Sequence, residues 1–263
     1  MSNPIITVVA GLAGCGKTTW IYQQLANKDE KFRFSDENIV YFSPGVGNVP
    51  IDKTRLATEL PKVKVFSDGQ EVEFFKQLAV ANIVYIELGF YLELSAIAQI
   101  LDNLTYQAVA LVPPHLQDSE YHVWADEIVI GADAQTSFAQ TKLWRASSTG
   151  QVIDEDSLHE LWYEITHGAY GTVTRAKGIF NVPDGRSLYA DFVAGVPSTD
   201  FLELDLPHHL DGIPQSFSGL EVLGNNLDEA SLRQTLQDCC LSEAAILHYQ
   251  QQVKETLLEE TKA

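Results

Sequence analysis

Positive charge is what this sequence has least of. Its 17 lysines and arginines stand against 36 aspartates and glutamates, a formal net charge of −19 over 263 residues. A field of that sign repels phosphate backbones, so nucleic acid is not an expected partner, although a local basic pocket can still take one small anion. Cysteine is scarce as well. Cys15, Cys239 and Cys240 are too few for a disulfide framework and suit a reducing compartment. Long apolar runs are missing. The stretch from Ile83 to Leu101 is interrupted by Glu87 and Glu93, which argues against a membrane span, and the first residues lack the basic and apolar pattern of a leader. The expectation is a cytoplasmic protein with no membrane partner, long enough to bury a core without disulfides or a structural metal.

What is present starts ten residues into the chain. Ile5–Ala10 is a β-branched apolar run ended by glycine, the pattern of a buried strand. Gly11-x-x-x-x-Gly16-Lys17-Thr18 follows at once and satisfies the full phosphate-loop pattern. KTTWIYQQLANK (17–28) then has helical spacing, with Ile21 and Leu25 at i, i+4. Glycines let the backbone turn its N–H groups inward as an anion nest, with Gly14 adding freedom, and the helix offers its positive end. Lys17 is placed to reach the β- and γ-phosphates and Thr18 to ligate Mg²⁺. Gly11, Gly14, Cys15, Gly16, Lys17, Thr18 and Thr19 are therefore the candidate nucleotide-binding residues, Cys15 as a small residue that fits the loop.

Such a loop needs a carboxylate at the end of a neighbouring apolar strand to organise the metal. NIVYIELG (82–89) supplies Glu87, which with Lys17 forms the candidate catalytic pair and with Thr18 the candidate Mg²⁺ site. Gly89 is placed to sense a γ-phosphate. Asp52 and Asp68 are weaker candidates for the same neighbourhood and read as turn residues.

Further strands are expected over 38–45, 62–69, 106–114 and 125–133, with helices over 71–80 and 92–104. That alternation predicts βαβ units and a mainly parallel sheet. The pattern changes near residue 140. Helices over 154–168, 228–240 and 242–263 flank strands over 172–182, 187–195 and 219–224, with Asp154 or Asp156 near the first helix start. The expected organisation is a P-loop α/β domain over 1–140 and a smaller α+β domain over 141–263. His208–His209 reads as a solvated loop, Cys239 as core, and Arg175 and Lys177 as solvated strand charges.

These stretches resemble the CobW family of P-loop GTPases, linked to metal-cofactor insertion. The likeness is carried by the phosphate loop, by SPGVGNVPID in place of an Asn-Glu-Phe-Gly-like switch, and by YIELG with its Glu and following Gly. TRAKGIF (174–180) is similar to the family's Arg-Ala-Lys-Gly strand, and FSGLEVLGNNLDEASLRQTLQDCCLS (217–242) to its strand-Gly-helix-Cys ending. The resemblance spans nearly the whole chain and implies a CobW C-terminal-like second domain. It also implies that Asp133, in GADA (131–134), reads the guanine edge.

The departures are specific. The Cys-x-Cys-Cys metal motif is absent from ATELPKVKVFSDGQEVEFF, the Asn and Lys of Asn-Lys-x-Asp are gone, and Pro44 stands where the switch has Glu. The chain is thus expected to be a divergent, metallochaperone-like member. Its expected function is Mg²⁺-dependent binding of a purine nucleoside triphosphate, GTP favoured over ATP, with slow hydrolysis acting as a switch for a client protein or metal centre. The alternative is a non-catalytic nucleotide-binding regulatory or scaffold protein that has lost metal transfer and turnover.

Overall fold

The computed structural model describes residues 4–31, 38–45, 47, 49–89, 92–95, 97, 99, 101, 104–134, 141–197 and 200–260. The chain divides into two compact units, Met1–Thr136 and Ser137–Ala263.

The first unit is built on β1 (Ile5–Gly11), β2 (Ile39–Ser43), β3 (Lys64–Ser67), β4 (Ile83–Glu87), β5 (Gln107–Val112) and β6 (Glu127–Ile130). They form a parallel sheet in the order β3-β2-β4-β1-β5-β6. The inner strands are continuous apolar runs because both faces are covered, as parallel sheets require. On one face Ile6, Val8, Val40, Phe42, Val84 and Ile86 pack against Phe74 and Leu78 of α3 (Glu71–Leu78). On the other, Val9, Tyr41, Tyr85 and Val109 meet Ile21 and Leu25 of α1 (Lys17–Lys31) and Leu56 of α2 (Ile51–Glu59). Phe74 also stacks on Phe42, with ring centroids 4.3 Å apart. Each such buried side chain contributes about 1.5–3 kcal/mol.

From β1 the chain crosses to β2 on one side of the sheet, and from β4 it crosses to β5 on the other. The carboxyl ends of the neighbouring strands β1 and β4 therefore open where connections diverge, the place where open α/β sheets bind ligands. A short helix, α4 (Glu120–Trp124), links β5 to β6. The helix expected over 92–104 falls partly outside the described residues. Within them, Ile97 and Leu101 are buried and the Leu101 N–H donates to the Ile97 carbonyl at 2.9 Å.

The second unit is antiparallel, in the order β10-β9-β8-β11-β7, from β7 (Lys142–Ser147), β8 (Thr172–Asn181), β9 (Ser187–Val193), β10 (Leu202–Glu203) and β11 (Gly219–Asn225). Leu158, Leu161 and Ile165 of α5 (Glu155–Thr166) and Leu232 and Leu236 of α6 (Glu229–Asp238) pack with Trp144, Phe180 and Val222 into its core. Both helices are capped alike: the carboxylates of Asp154 and Asp228 each accept an N–H three residues on, at 3.0 Å. A last helix, α7, covers Glu243–Glu260. Among the described residues no helix is long and apolar enough to cross a membrane.

One reading of this unit changes. Lys177 is buried rather than solvated, 3.5 Å from Glu221, which also accepts from Arg145 at 2.7 Å across the strand pair. Alternation along β8 turned Lys177 away from the helices, but the register sets it opposite Glu221. Cys239 is core as expected, and burial, then the neighbouring Cys240, pushes its thiol up to about 11. A thiol held protonated is a poor metal ligand.

Tyr170 ties α5 to α6 by donating to Glu164 and accepting from the Thr235 hydroxyl. Burial, then the Glu164 hydrogen bond, raises its hydroxyl from 10.0 to about 12. By linkage, the stabilisation this gives is whole below pH 10.0 and is lost as pH rises through about 12. Thermal unfolding followed between pH 9 and 12 is expected to show Tyr170→Phe declining less steeply than the parent. Parallel profiles would refute the assignment.

Candidate phosphate-binding site

The loop between β1 and α1 owes its shape to three glycines with positive φ: Gly11 at 144°, Gly14 at 80° and Gly16 at 89°. Their reversals stack the amides ahead of α1, whose first turn is closed by the Trp20 N–H donating to the Gly16 carbonyl at 2.8 Å. Cys15 is buried and Thr19 exposed. Lys17, also buried, donates from Nζ to the Gly11 and Leu12 carbonyls at 2.8 and 3.1 Å. The ammonium thus lies over the loop whose amides it would share with an anion.

Glu87 ends β4 in register with Val9 of β1, which carries its carboxylate to the mouth of the loop. Thr18 Oγ1 donates to Glu87 Oε1 at 2.9 Å, and Tyr41 donates to Oε2 at 2.9 Å. Ser43 Oγ donates to the Glu87 carbonyl at 3.4 Å. Gly89 lies just beyond the strand, its carbonyl accepting from the Leu92 N–H at 2.9 Å. Burial first, then the charges of Glu87 and Asp52, raises the Tyr41 hydroxyl well above its ordinary pKa, which keeps it a donor. Asp52 opens α2 as a buried carboxylate. The donors here are a hydroxyl and carboxylates, the hard oxygen set that suits Mg²⁺ when a substrate's phosphates complete the shell. Among the described residues no three His, Cys, Asp or Glu side chains cluster as a metal site of their own.

Asp68 does something the sequence did not suggest. From the end of β3 its two oxygens accept the N–H groups of Gly45 and Gly47, at 2.6 and 2.5 Å, pinning the loop after β2. It is an anchor for the switch-like stretch rather than a turn residue alone.

The loop after β6 closes against the phosphate loop. The Ala132 N–H donates to the Cys15 carbonyl at 3.2 Å, and a Cβ on Gly131 would stand 2.3 Å from that same oxygen, so only glycine lets the two backbones meet. Asp133 follows directly, well exposed, with Oδ1 2.7 Å from Nδ1 of His115. The structure thus brings Gly11–Thr18, Glu87 and Asp133 to one end of the sheet and adds Tyr41, Ser43, Asp52, Asp68 and His115. Of these, Tyr41 carried a signal: a tyrosine inside an otherwise apolar parallel strand needs a partner for its hydroxyl.

No protein-family profile and no curated protein sequence matches the chain. The solved structures similar to it include the Zn(II)-bound YjiA GTPase from E. coli and a Zn(II)-bound triple mutant of that GTPase. Each has 12% identity and a TM-score of 0.32, over 91% and 90% of this chain and 99% of the other.

Proposed function

We propose that the chain binds a purine nucleoside triphosphate with Mg²⁺, GTP ahead of ATP, hydrolyses it slowly, and serves as a CobW-type switch for a client protein or metal centre. The hydrogen bond from Thr18 to Glu87 carries this reading. It joins the two side chains that a phosphate-loop enzyme uses for its metal, from elements 69 positions apart, at the end of a glycine nest. In this reading the loop amides and Lys17 hold the triphosphate, and Thr18 and Glu87 hold Mg²⁺. Gly89 senses the γ-phosphate. A bound Mg²⁺ supplies charge neutralisation at the β- and γ-phosphates. The chain's own part is positioning and electrostatics. The second unit is the part assigned to the client.

Asp133 is the proposed guanine reader, supported by its place beside the phosphate loop. Titration of labelled GTP and ATP with Mg²⁺ is expected to favour GTP by about tenfold, the low end of what one charge-assisted hydrogen bond contributes. Asp133→Ala should bring the two affinities together. Equal affinities in the parent would remove guanine from the proposal.

One observation favours the alternative, a nucleotide-binding scaffold without turnover: both Gly45 and Gly47 amides are already held by Asp68. Phosphate release separates the two. Mg²⁺-dependent release that disappears in Glu87→Gln supports the switch, and binding without release supports the scaffold.

A further inference from the structure

Glu87 is held from both ends, and only one of its partners belongs to the phosphate loop. The other, Tyr41, sits in the middle of β2, paired with Tyr85 of β4 two positions before the carboxylate. Its side chain is fully buried, at 0% exposure, on the sheet face covered by α1 and α2. Valine, isoleucine or phenylalanine would fill such a doubly covered position without a polar atom to satisfy. A hydroxyl buried there costs about 1–3 kcal/mol unless it is bonded, and the bond it makes is to Glu87 Oε2 at 2.9 Å.

The geometry limits what the carboxylate can do. With Thr18 alone on Oε1, the group could turn about its last bond. With Tyr41 on Oε2 as well, its plane is fixed. The Thr18 hydroxyl has one proton and two lone pairs; its proton is committed to Glu87, which leaves its lone pairs for a cation. A carboxylate that stays in place keeps that proton turned aside. Partners one bond removed from a metal's ligands change its affinity by about 10–100-fold.

We propose that Tyr41 is a positioning residue for the divalent cation bound with the nucleotide, acting by orienting Glu87 against Thr18. The proposal rests on the reading of Thr18 and Glu87 as the Mg²⁺ site.

The test uses the full chain and labelled GTP, titrated with Mg²⁺ after an EDTA baseline, in the parent, Tyr41→Phe, Glu87→Gln and the double variant. Tyr41→Phe keeps the ring in its packing and removes only the donor. Affinity in EDTA should stay within about twofold of the parent, while the half-saturating Mg²⁺ concentration rises about tenfold. In the Glu87→Gln background, Tyr41→Phe should shift the midpoint no further, because both changes act on one interaction. A variant that folds only in part lowers the binding amplitude and leaves the midpoint readable. If Tyr41→Leu has to replace a phenylalanine variant that does not fold, the same midpoint shift is expected.

An unchanged Mg²⁺ midpoint in Tyr41→Phe, with a raised one in Glu87→Gln, overturns the role of Tyr41 and leaves the metal site standing. Equal weakening with and without Mg²⁺, or additive effects in the double variant, reduces Tyr41 to packing and also overturns it. An unchanged midpoint in Glu87→Gln removes the metal-site reading itself, and Tyr41's part with it.

Discussion

Lys17→Ala is expected to weaken nucleotide binding by about a hundredfold or more while leaving the unliganded fold close to the parent. Without a ligand, the ammonium donates to two neutral carbonyls of its own loop, those of Gly11 and Leu12. Such bonds are each worth about 0.5–1.5 kcal/mol net, and their loss is partly offset because the charge no longer has to be buried. With a triphosphate present, the same donors meet ionised oxygens, where each bond contributes about 1.5–3 kcal/mol. Losing two of them amounts to about 3 kcal/mol, or roughly two powers of ten in affinity. Calorimetric titration with Mg²⁺ and GTP measures the first effect and thermal unfolding the second. An affinity within threefold of the parent would show that the ammonium never reaches the phosphates. In a chain of net charge −19, Lys17 is the one cationic side chain of this loop, beside the backbone amides and the helix end, so its loss should be large.

Gly11→Ala should instead strike the fold. Gly11 is the last residue of β1, at φ 144°, paired with Leu111 of β5. A Cβ there would lie 2.1 Å from the Leu111 carbonyl oxygen and 3.0 Å from its carbon. Both are backbone atoms of a central strand, so relief requires the β1–β5 ladder to part. Strain at a positive φ costs about 1–3 kcal/mol and overpacking about as much again, giving a loss near 4 kcal/mol. Differential scanning calorimetry should record this as a fall of about 10 °C or more in the transition of the first unit. Gly16→Ala is the internal comparison. Its φ is 89°, but a Cβ would meet nothing within 4 Å, so only the conformational part of the penalty remains. Equal falls for the two variants would mean that the contact with Leu111 is not what makes Gly11 necessary.

The sequence made the phosphate loop and Glu87 readable because each is a local pattern. A β-branched run, a glycine series and a lysine stand in one line, and Glu87 closes an apolar strand. The alternation of strands and helices likewise foretold the parallel sheet. Elements without a local signature were missed. Helix α2 starts on Pro50 with no side-chain cap, straight after a glycine-rich stretch that reads as loop. Strand β7 mixes Lys142, Trp144 and Arg145, and its logic appears only when Arg145 meets Glu221 on β11. The partners of Glu87, Asp133 and Gly45 escaped for the same reason: Tyr41, His115 and Asp68 come from other strands or loops, 46, 18 and 23 positions away. Side-chain chemistry is written in the sequence; which chemistries face each other is decided by register.

The anchoring of the loop after β2 bears on the carboxylate of Glu87 as well. One carboxylate answers two amides, one through each oxygen. Asp68 is thus one latch on two amides, those of Gly45 and Gly47, and losing its carboxylate would free both. Because β2 leads straight into it and carries both Tyr41 and Ser43, which bond Glu87, whatever frees that latch acts on the strand that also steadies the carboxylate.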